Sequence, residues 1–153
     1  IPVELEKEDM NVLLSQTAGE YEDKLREAGL EPVMSLQDGA LNIMADGRLL
    51  WRVFDNIMSN AVKYALRGTR VYISSEMENG RAAAVFRNIS ASPLNISADE
   101  LMERFVRGDA SRNTQGSGLG LSIAESLVKL QGGEFSIEID GDLFKAKVSF
   151  PNI

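Results

Sequence analysis

Residues 116–121 read Gly116-Ser117-Gly118-Leu119-Gly120-Leu121 and open a helical pattern over residues 119–130 that Gly132-Gly133 stops. Glycines beside a helix start let backbone N–H groups and the positive end of a helix dipole come close to whatever occupies the turn, which suits a phosphate. Two common phosphate motifs fail here. A P-loop needs Lys and then Ser or Thr after its last glycine, and Leu121-Ser122 follows Gly120. A dinucleotide fingerprint needs a strand directly before the glycines, and Asn113-Thr114-Gln115 is polar. For this segment alone, a hinge followed by a helix cap is the plainer alternative.

Upstream, Asp55-Asn56-Ile57-Met58-Ser59-Asn60-Ala61-Val62-Lys63-Tyr64 falls in a second helix. It is expected over residues 48–65, with Asp46 as its cap and Gly68 closing the region. On a 3.6-residue period Leu50, Val53, Phe54, Ile57 and Ala61 share a core face, and Asn56, Asn60 and Lys63 share the adjacent one. Asparagine is a mediocre helix former, so two of them inside an apolar helix ask for a reason. Two amides and an ammonium on one stripe can hold a hydrated metal and phosphates. A solvated face is the plainer reading of the same stripe.

Outward from these two helices the chain is punctuated by turns. Val3 and Leu5 give residues 1–10 the alternation of a weak strand. Asn11 is placed to cap a helix reaching about residue 28, with Gly29 as its stop and Leu13, Leu14, Ala18, Tyr21 and Leu25 as its apolar stripe. Residues 31–36 read as extended, 37–39 as a turn and 41–44 as a short strand. A strand over 71–77, the turn Glu78-Asn79-Gly80 and a returning strand over 81–88 make a hairpin. A short helix is expected at 99–105, then a polar, glycine-bearing loop over 106–118 of the length that compact domains keep for functional segments. Residues 134–139 and 143–150 form a closing hairpin around Asp140-Gly141-Asp142.

Composition narrows the chemistry. The 153 residues suit one domain. The chain has no cysteine, so it has no disulfide framework, thiolate metal site or cysteine nucleophile. It has no histidine either, which removes the commonest general base and any Ser-His-Asp triad. Sixteen basic residues against 23 acidic ones give a net charge of −7, so no nucleic-acid partner is expected. The longest apolar run, Ala82 to Phe86, is far shorter than the roughly 20 residues that span a bilayer. The expected fold is α+β, a two-layer α/β sandwich. Its sheet is mixed and mainly antiparallel, of about five strands, with three long helices on one face.

Taken together, the motifs resemble a known family. Asn56-x-x-x-Asn60-Ala61-x-Lys63-Tyr64 looks like the N box of the sensor histidine kinase catalytic domain. Met102-Glu103-Arg104-Phe105 is similar to its F box, with Met102 in place of the usual first phenylalanine. Gly116 to Leu121 resembles its second glycine box, and Gly132-Gly133 matches the pair after the next helix. Order and spacing agree from about Asp46 to Phe150, and residues 1–36 suit the family's usual start.

The resemblance implies a Bergerat ATP-binding fold, a single catalytic domain over residues 1–153, and ATP and Mg2+ as cofactors. Carried over residue by residue, Asn60 coordinates magnesium with Asn56 beside it, Lys63 reaches the phosphates and Tyr64 lines the nucleotide pocket. Arg107 and Arg112 lie in a lid over 106–115, and Gly116, Ser117, Gly118, Leu119 and Gly120 wrap the phosphate chain. Asn56, Lys63 and Arg107 are the catalytic set. The family donates the ATP γ-phosphoryl group to a histidine on a neighbouring dimerisation domain, from which it passes to a response regulator. With no histidine and with Ile1-Pro2 at its start, this chain is expected to be the C-terminal catalytic part of a longer sensor kinase. The acceptor histidine then lies upstream. The implied assembly is a homodimer in the full-length protein, with the isolated part monomeric. The implied location is cytoplasmic, in a class of sensor that is often membrane-bound.

One segment departs from the pattern. Where the family's first glycine box reads Asp-x-Gly-x-Gly, this chain reads Asn88-Ile89-Ser90-Ala91-Ser92, so Asn88 takes the place of the adenine-reading aspartate. Three rival readings follow. Gyrase- or chaperone-like ATPases activate water with a glutamate where this chain has Asn56, and Asp55 points about 100° away round the helix. Anti-sigma-factor-like serine kinases also carry that glutamate. The altered 88–92 segment favours the third rival, a degenerate nucleotide-binding module that serves signalling or docking without kinase activity.

Overall fold

The structure, a computed structural model, describes residues 2–94, 97, 100–102 and 119–153. The chain builds β1 (Glu6–Asp9), α1 (Met10–Glu20), α2 (Glu22–Glu27), β2 (Glu31–Ser35), β3 (Asn42–Ala45) and α3 (Gly47–Tyr64). There follow β4 (Arg70–Glu78), β5 (Arg81–Ile89), α4 (Leu119–Leu130), β6 (Glu134–Asp140) and β7 (Leu143–Pro151). The main sheet has five strands in the order β2-β4-β5-β7-β6; β2 and β4 are parallel and the other pairs antiparallel. The expected α/β sandwich is therefore present. The main sheet has the five strands expected, and two further strands, β1 and β3, pair antiparallel as a separate ribbon.

Alternation along the strands decides which face is covered. Val71 and Ile73 of β4, Ala82, Ala84 and Phe86 of β5, and Phe144, Ala146, Val148 and Phe150 of β7 join one core with the buried residues of the helices. Their strand neighbours point the other way. On α3 the predicted face is buried throughout, together with Leu49 and Met58. Phe54 on α3 meets Phe86 on β5 with ring centroids 5.5 Å apart, which locks the helix over the central strand. The β4–β5 hairpin turns on Asn79 and Gly80, with φ of 53° and 74°, as a two-residue turn between right-twisted strands requires.

The N-terminal region differs from the expectation in three ways. The strand starts at Glu6, after the Val3/Leu5 alternation; Val3 is half-buried and Leu5 is exposed. The cap of α1 is Asp9, not Asn11: the Asp9 carboxylate accepts from the Asn11 N–H at 3.0 Å and from the Leu41 N–H at 3.1 Å. The Asn11 side chain instead donates to the carbonyls of Gln37 and Gly39 and accepts from the Ser75 hydroxyl. Finally, the single helix expected up to residue 28 is broken at Tyr21, where φ is −96° and ψ is 0°, so α1 and α2 replace one of the three long helices. Tyr21 at the break and Leu25 in α2 are both buried.

The Asp46 cap holds as expected. Its carboxylate accepts from the N–H groups of Arg48 and Leu49. The Asp46 N–H is in turn satisfied by Gln131 at the end of α4, whose Oε1 accepts from it at 2.9 Å while its Nε2 donates to the Leu127 carbonyl. Gln131 thereby joins the end of α4 to the start of α3, and the two helices run side by side under the sheet.

Candidate functional site

The site stands where α3, α4 and the end of β5 meet. A Cβ placed on Gly120, in the first turn of α4, would lie 3.6 Å from the Asn56 Cβ and 3.8 Å from its Cγ, so the start of α4 rests against the Asn56 stripe. The end of α3 is stitched to the end of β5 through the backbone. The Leu66 N–H donates to the Ile89 carbonyl at 2.7 Å, the Ala91 N–H donates to the Tyr64 carbonyl at 2.8 Å, and Ala65 and Ser90 form an isolated bridge. Asn56 and Asn60 are half-buried, Lys63 is exposed, and Tyr64 is half-buried above the bridge.

Asn60 and Lys63 are unspent among the described residues. The Asn56 Nδ2 is buried and has no hydrogen-bond partner among the described residues. Among the described residues Asn60 and Asn88 make no side-chain hydrogen bond and Lys63 makes no ion pair, whereas Tyr64 has an interaction of its own. Buried polar groups are almost always satisfied, so an orphaned carboxamide marks a place where a ligand or water belongs. The start of α4 adds a positive dipole end beside them.

Asn88 sits on the covered face of the sheet, two residues on from Phe86 and paired with Val71 on one side and Phe144 on the other. It is 6% exposed. The serines that replace the glycines of the first box are accommodated without strain, because no residue from 88 to 92 has a positive φ. Ser90 donates its N–H to the Asp142 carbonyl at 2.8 Å, and its hydroxyl accepts from the Ser92 N–H at 3.2 Å, closing a turn in the glycines' place.

Asp55 faces away from the cleft. Its Oδ1 accepts from the Tyr21 hydroxyl at 2.5 Å and its carbonyl accepts from the same hydroxyl at 3.0 Å. Burial, and then the bond to Asp55, raises the Tyr21 pKa above the ordinary phenol range. No group of His, Cys, Asp or Glu among the described residues is arranged to hold a metal ion. The oxygen donors on offer in the cleft are the carboxamides of Asn56 and Asn60. Such a set fits magnesium that arrives with phosphates, because that ion keeps several waters and takes few protein ligands.

Of the predicted residues, the structure thus gathers Asn56, Asn60, Lys63, Tyr64, Asn88 and Gly120 into one region, with Leu119 as the first residue of α4. Arg107, Arg112, Gly116, Ser117 and Gly118, with the expected lid over 106–115, lie outside the described residues. Of the F-box residues, Met102 is helical and half-buried against the core, and residues 103–105 also lie outside. Sequence reasoning missed the Tyr21 hydroxyl on Asp55, the Gln131 bridge and the Asp142 carbonyl that holds Ser90. A tyrosine in an apolar stripe gives only a weak signal of the first, and the other two are long-range pairings.

Residues 45–151 match the family described as histidine kinase-, DNA gyrase B-, and HSP90-like ATPase. The chain belongs to this family. Within it, the chain is similar to sensor kinases. It is 37% identical to the probable sensor protein PcoS of Escherichia coli over 101 residues, which are 65% of this chain and 22% of PcoS. Among solved structures, the catalytic domain of histidine kinase ThkA superposes with a TM-score of 0.82 at 23% identity, covering 97% of this chain and 95% of that one. The full-length kinase ShkA superposes with a TM-score of 0.80 at 25% identity, covering 99% of this chain and 32% of that one. The chain therefore spans a minor part of the curated relatives it matches, from 19% to 42% of their length. Among the described residues of this ATPase-family chain, no helix is long and apolar enough to cross a membrane.

Proposed function

We propose that the chain binds Mg-ATP in the cleft between α3, α4 and the end of β5. From there it donates the γ-phosphoryl group to a histidine on a separate domain of the same protein, as the catalytic half of a two-component sensor kinase. The observation that carries this reading is the buried Asn56 amide, unpartnered among the described residues and packed against the start of α4, with Asn60 and Lys63 following it on α3. The solved structure of ShkA is a complex with AMPPNP, and ThkA has been solved in complex with the response regulator TrrA, which supports both the ligand and the downstream partner.

Phosphoryl transfer is mostly positioning and charge neutralisation. Lys63 neutralises phosphate charge, and the first turn of α4 supplies backbone N–H donors. Asn60, with Asn56 beside it, would hold a magnesium ion, which would supply charge neutralisation at the transferring phosphates. Hydrolysis would need a base for water, and the carboxylate next to Asn56 on α3, Asp55, is occupied by Tyr21 on the other side of the helix. The site is thus equipped to pass its phosphoryl group to a nucleophile brought by another domain.

The test is incubation of the chain with γ-labelled ATP, alone and with a histidine-bearing dimerisation domain. Because the chain has no histidine, acid-labile label is expected only on the added domain. Acid-labile label on the chain alone, or rapid release of free phosphate, overturns the reading. If nucleotide binds but no label moves, the degenerate-module reading replaces it; the changed residues 88–92 are its support.

A further inference from the structure

Asn88 has apolar surroundings among the described residues. It is 6% exposed, and its cross-strand partners are Val71 and Phe144, both buried and apolar. Two residues back on the same strand face is Phe86. The groups suited to an anion, Lys63 and the first turn of α4, belong to the helical side. A single polar group amid apolar side chains suits a flat ring with a polar edge better than a phosphate. No described residue hydrogen-bonds the Asn88 carboxamide, so neither of its two orientations is fixed by the protein.

That freedom has a chemical consequence. A carboxamide carries an acceptor oxygen and a donor nitrogen side by side, and a half-turn about the last side-chain bond exchanges them. In one orientation it accepts from the exocyclic amino group of adenine and donates to N1. In the other it donates to the O6 of guanine and accepts from its N1–H. A carboxylate in the same place is acceptor-only. It serves the adenine amino group and repels guanine O6.

Resting on the nucleotide-binding reading above, we propose that Asn88 makes this a purine site rather than an adenine site, so that the chain holds Mg-GTP with an affinity comparable to that for Mg-ATP. Discrimination between bases at such an edge depends on a mismatch leaving a polar group opposed or unpaired. The rotatable amide removes the mismatch for both purines. A pyrimidine has no second ring to carry its polar edge outward from the sugar, so CTP is expected to be held more weakly.

Isothermal calorimetry with Mg-ATP, Mg-GTP, Mg-CTP and magnesium tripolyphosphate tests this on the chain and on Asn88→Asp and Asn88→Ala. The dissociation constants for ATP and GTP are expected to lie within about tenfold of each other, with CTP weaker than both. Asn88→Asp should widen the ATP-to-GTP ratio by roughly tenfold or more, and Asn88→Ala should weaken both purines alike. A wild-type preference for ATP of more than about tenfold overturns the proposal, as does an Asn88→Asp protein with an unchanged ratio. Should Asn88→Asp fail to fold, the wild-type ratio and Asn88→Ala decide. Tripolyphosphate binding as tightly as the nucleotides overturns the base-reading role while leaving the phosphate site standing. No binding of any triphosphate overturns both.

Discussion

The Tyr21 hydroxyl donates to Oδ1 of Asp55 at 2.5 Å, across the packed faces of the first and third helices. Asp55 is the only carboxylate that α3 carries, and this bond holds it on the side of the helix away from the cleft. Tyr21→Phe keeps the ring, over which Lys24 Nζ lies 4.9 Å from the centroid, and removes only the hydroxyl. The expected cost is about 1–2 kcal/mol, because Asp55 is half-buried and water replaces part of the lost bond. For a chain of this size the melting temperature should fall by roughly 3–6 °C. Differential scanning calorimetry measures it, and the affinity for Mg-ATP should not change.

The glycine pair after α4 makes two different demands. Gly132 has φ of 86°, and a Cβ there would meet nothing within 4 Å, so only backbone conformation requires a glycine. Gly133 is confined: a Cβ would come 2.8 Å from Phe150 Cε2 and Cζ and 2.9 Å from the Ser149 carbonyl. Gly132→Ala should cost about 1–2 kcal/mol through the left-handed backbone. Gly133→Ala should cost about 1–3 kcal/mol through overpacking at the sheet. Pairing each with Phe150→Leu in denaturant titrations separates the causes. The smaller side chain should relieve Gly133→Ala and leave the Gly132→Ala penalty intact.

Asp46 gives the fold an acid limb. The Arg48 guanidinium first, then the backbone N–H groups of Glu4 and Leu49, hold its pKa down from 3.8 to about 2. A carboxylate with a folded pKa below its unfolded one contributes stability in full above the unfolded value, and loses it as pH falls toward the folded one. The midpoint for unfolding by urea should therefore drop between about pH 4 and pH 2. Asp46→Asn should start lower at neutral pH and lose less over that window. Glu8 has the opposite sign. Burial first, then Glu6 and Asp46, raise its pKa above 4.5, so its contribution is present in acid and lost as pH rises through the raised value. Glu8→Gln should accordingly gain stability relative to wild type above that value and not below it.

The parts of the fold legible in sequence are those set by local chemistry. The third helix announces itself because Asp46 caps it and Val53, Phe54, Ile57 and Ala61 repeat at helical spacing, and both signals lie within it. The β4–β5 hairpin is legible for the same reason, since Asn79-Gly80 needs the positive φ values it adopts. The cap of the first helix is ambiguous in sequence because Asp9 and Asn11 are both competent caps. What decides between them is remote: Ser75, Gln37 and Gly39 engage the Asn11 side chain. The β3 strand is legible, but its pairing with β1 is not, because Glu6–Asp9 is charged throughout and pairs with a strand more than thirty residues away. At the site, the helix stripe is visible as a pattern. That Ser90 and Ser92 are harmless is not, since this depends on backbone angles that the identity of a residue does not report.

Asn60 offers the most direct test of the site. It lies one turn after Asn56 and one turn before Tyr64, on the half-buried edge of α3, and it has no side-chain hydrogen bond among the described residues. Asn60→Ala removes no side-chain hydrogen bond among the described residues, and alanine is the better helix former. Thermal stability should hold or rise slightly. If the Asn60 oxygen holds the magnesium on the nucleotide, the affinity for Mg-ATP should fall by about 10–100-fold, the range that one interaction with a charged group commands. The affinity for ATP measured in EDTA should be unchanged, because that measurement omits the ion. Asn60→Asp sharpens the test, since a carboxylate also ligates magnesium and should restore much of the metal-dependent gain. If Asn60→Ala weakens ATP equally with and without magnesium, Asn60 contacts the nucleotide itself, and the ion is held by Asn56 and the phosphates.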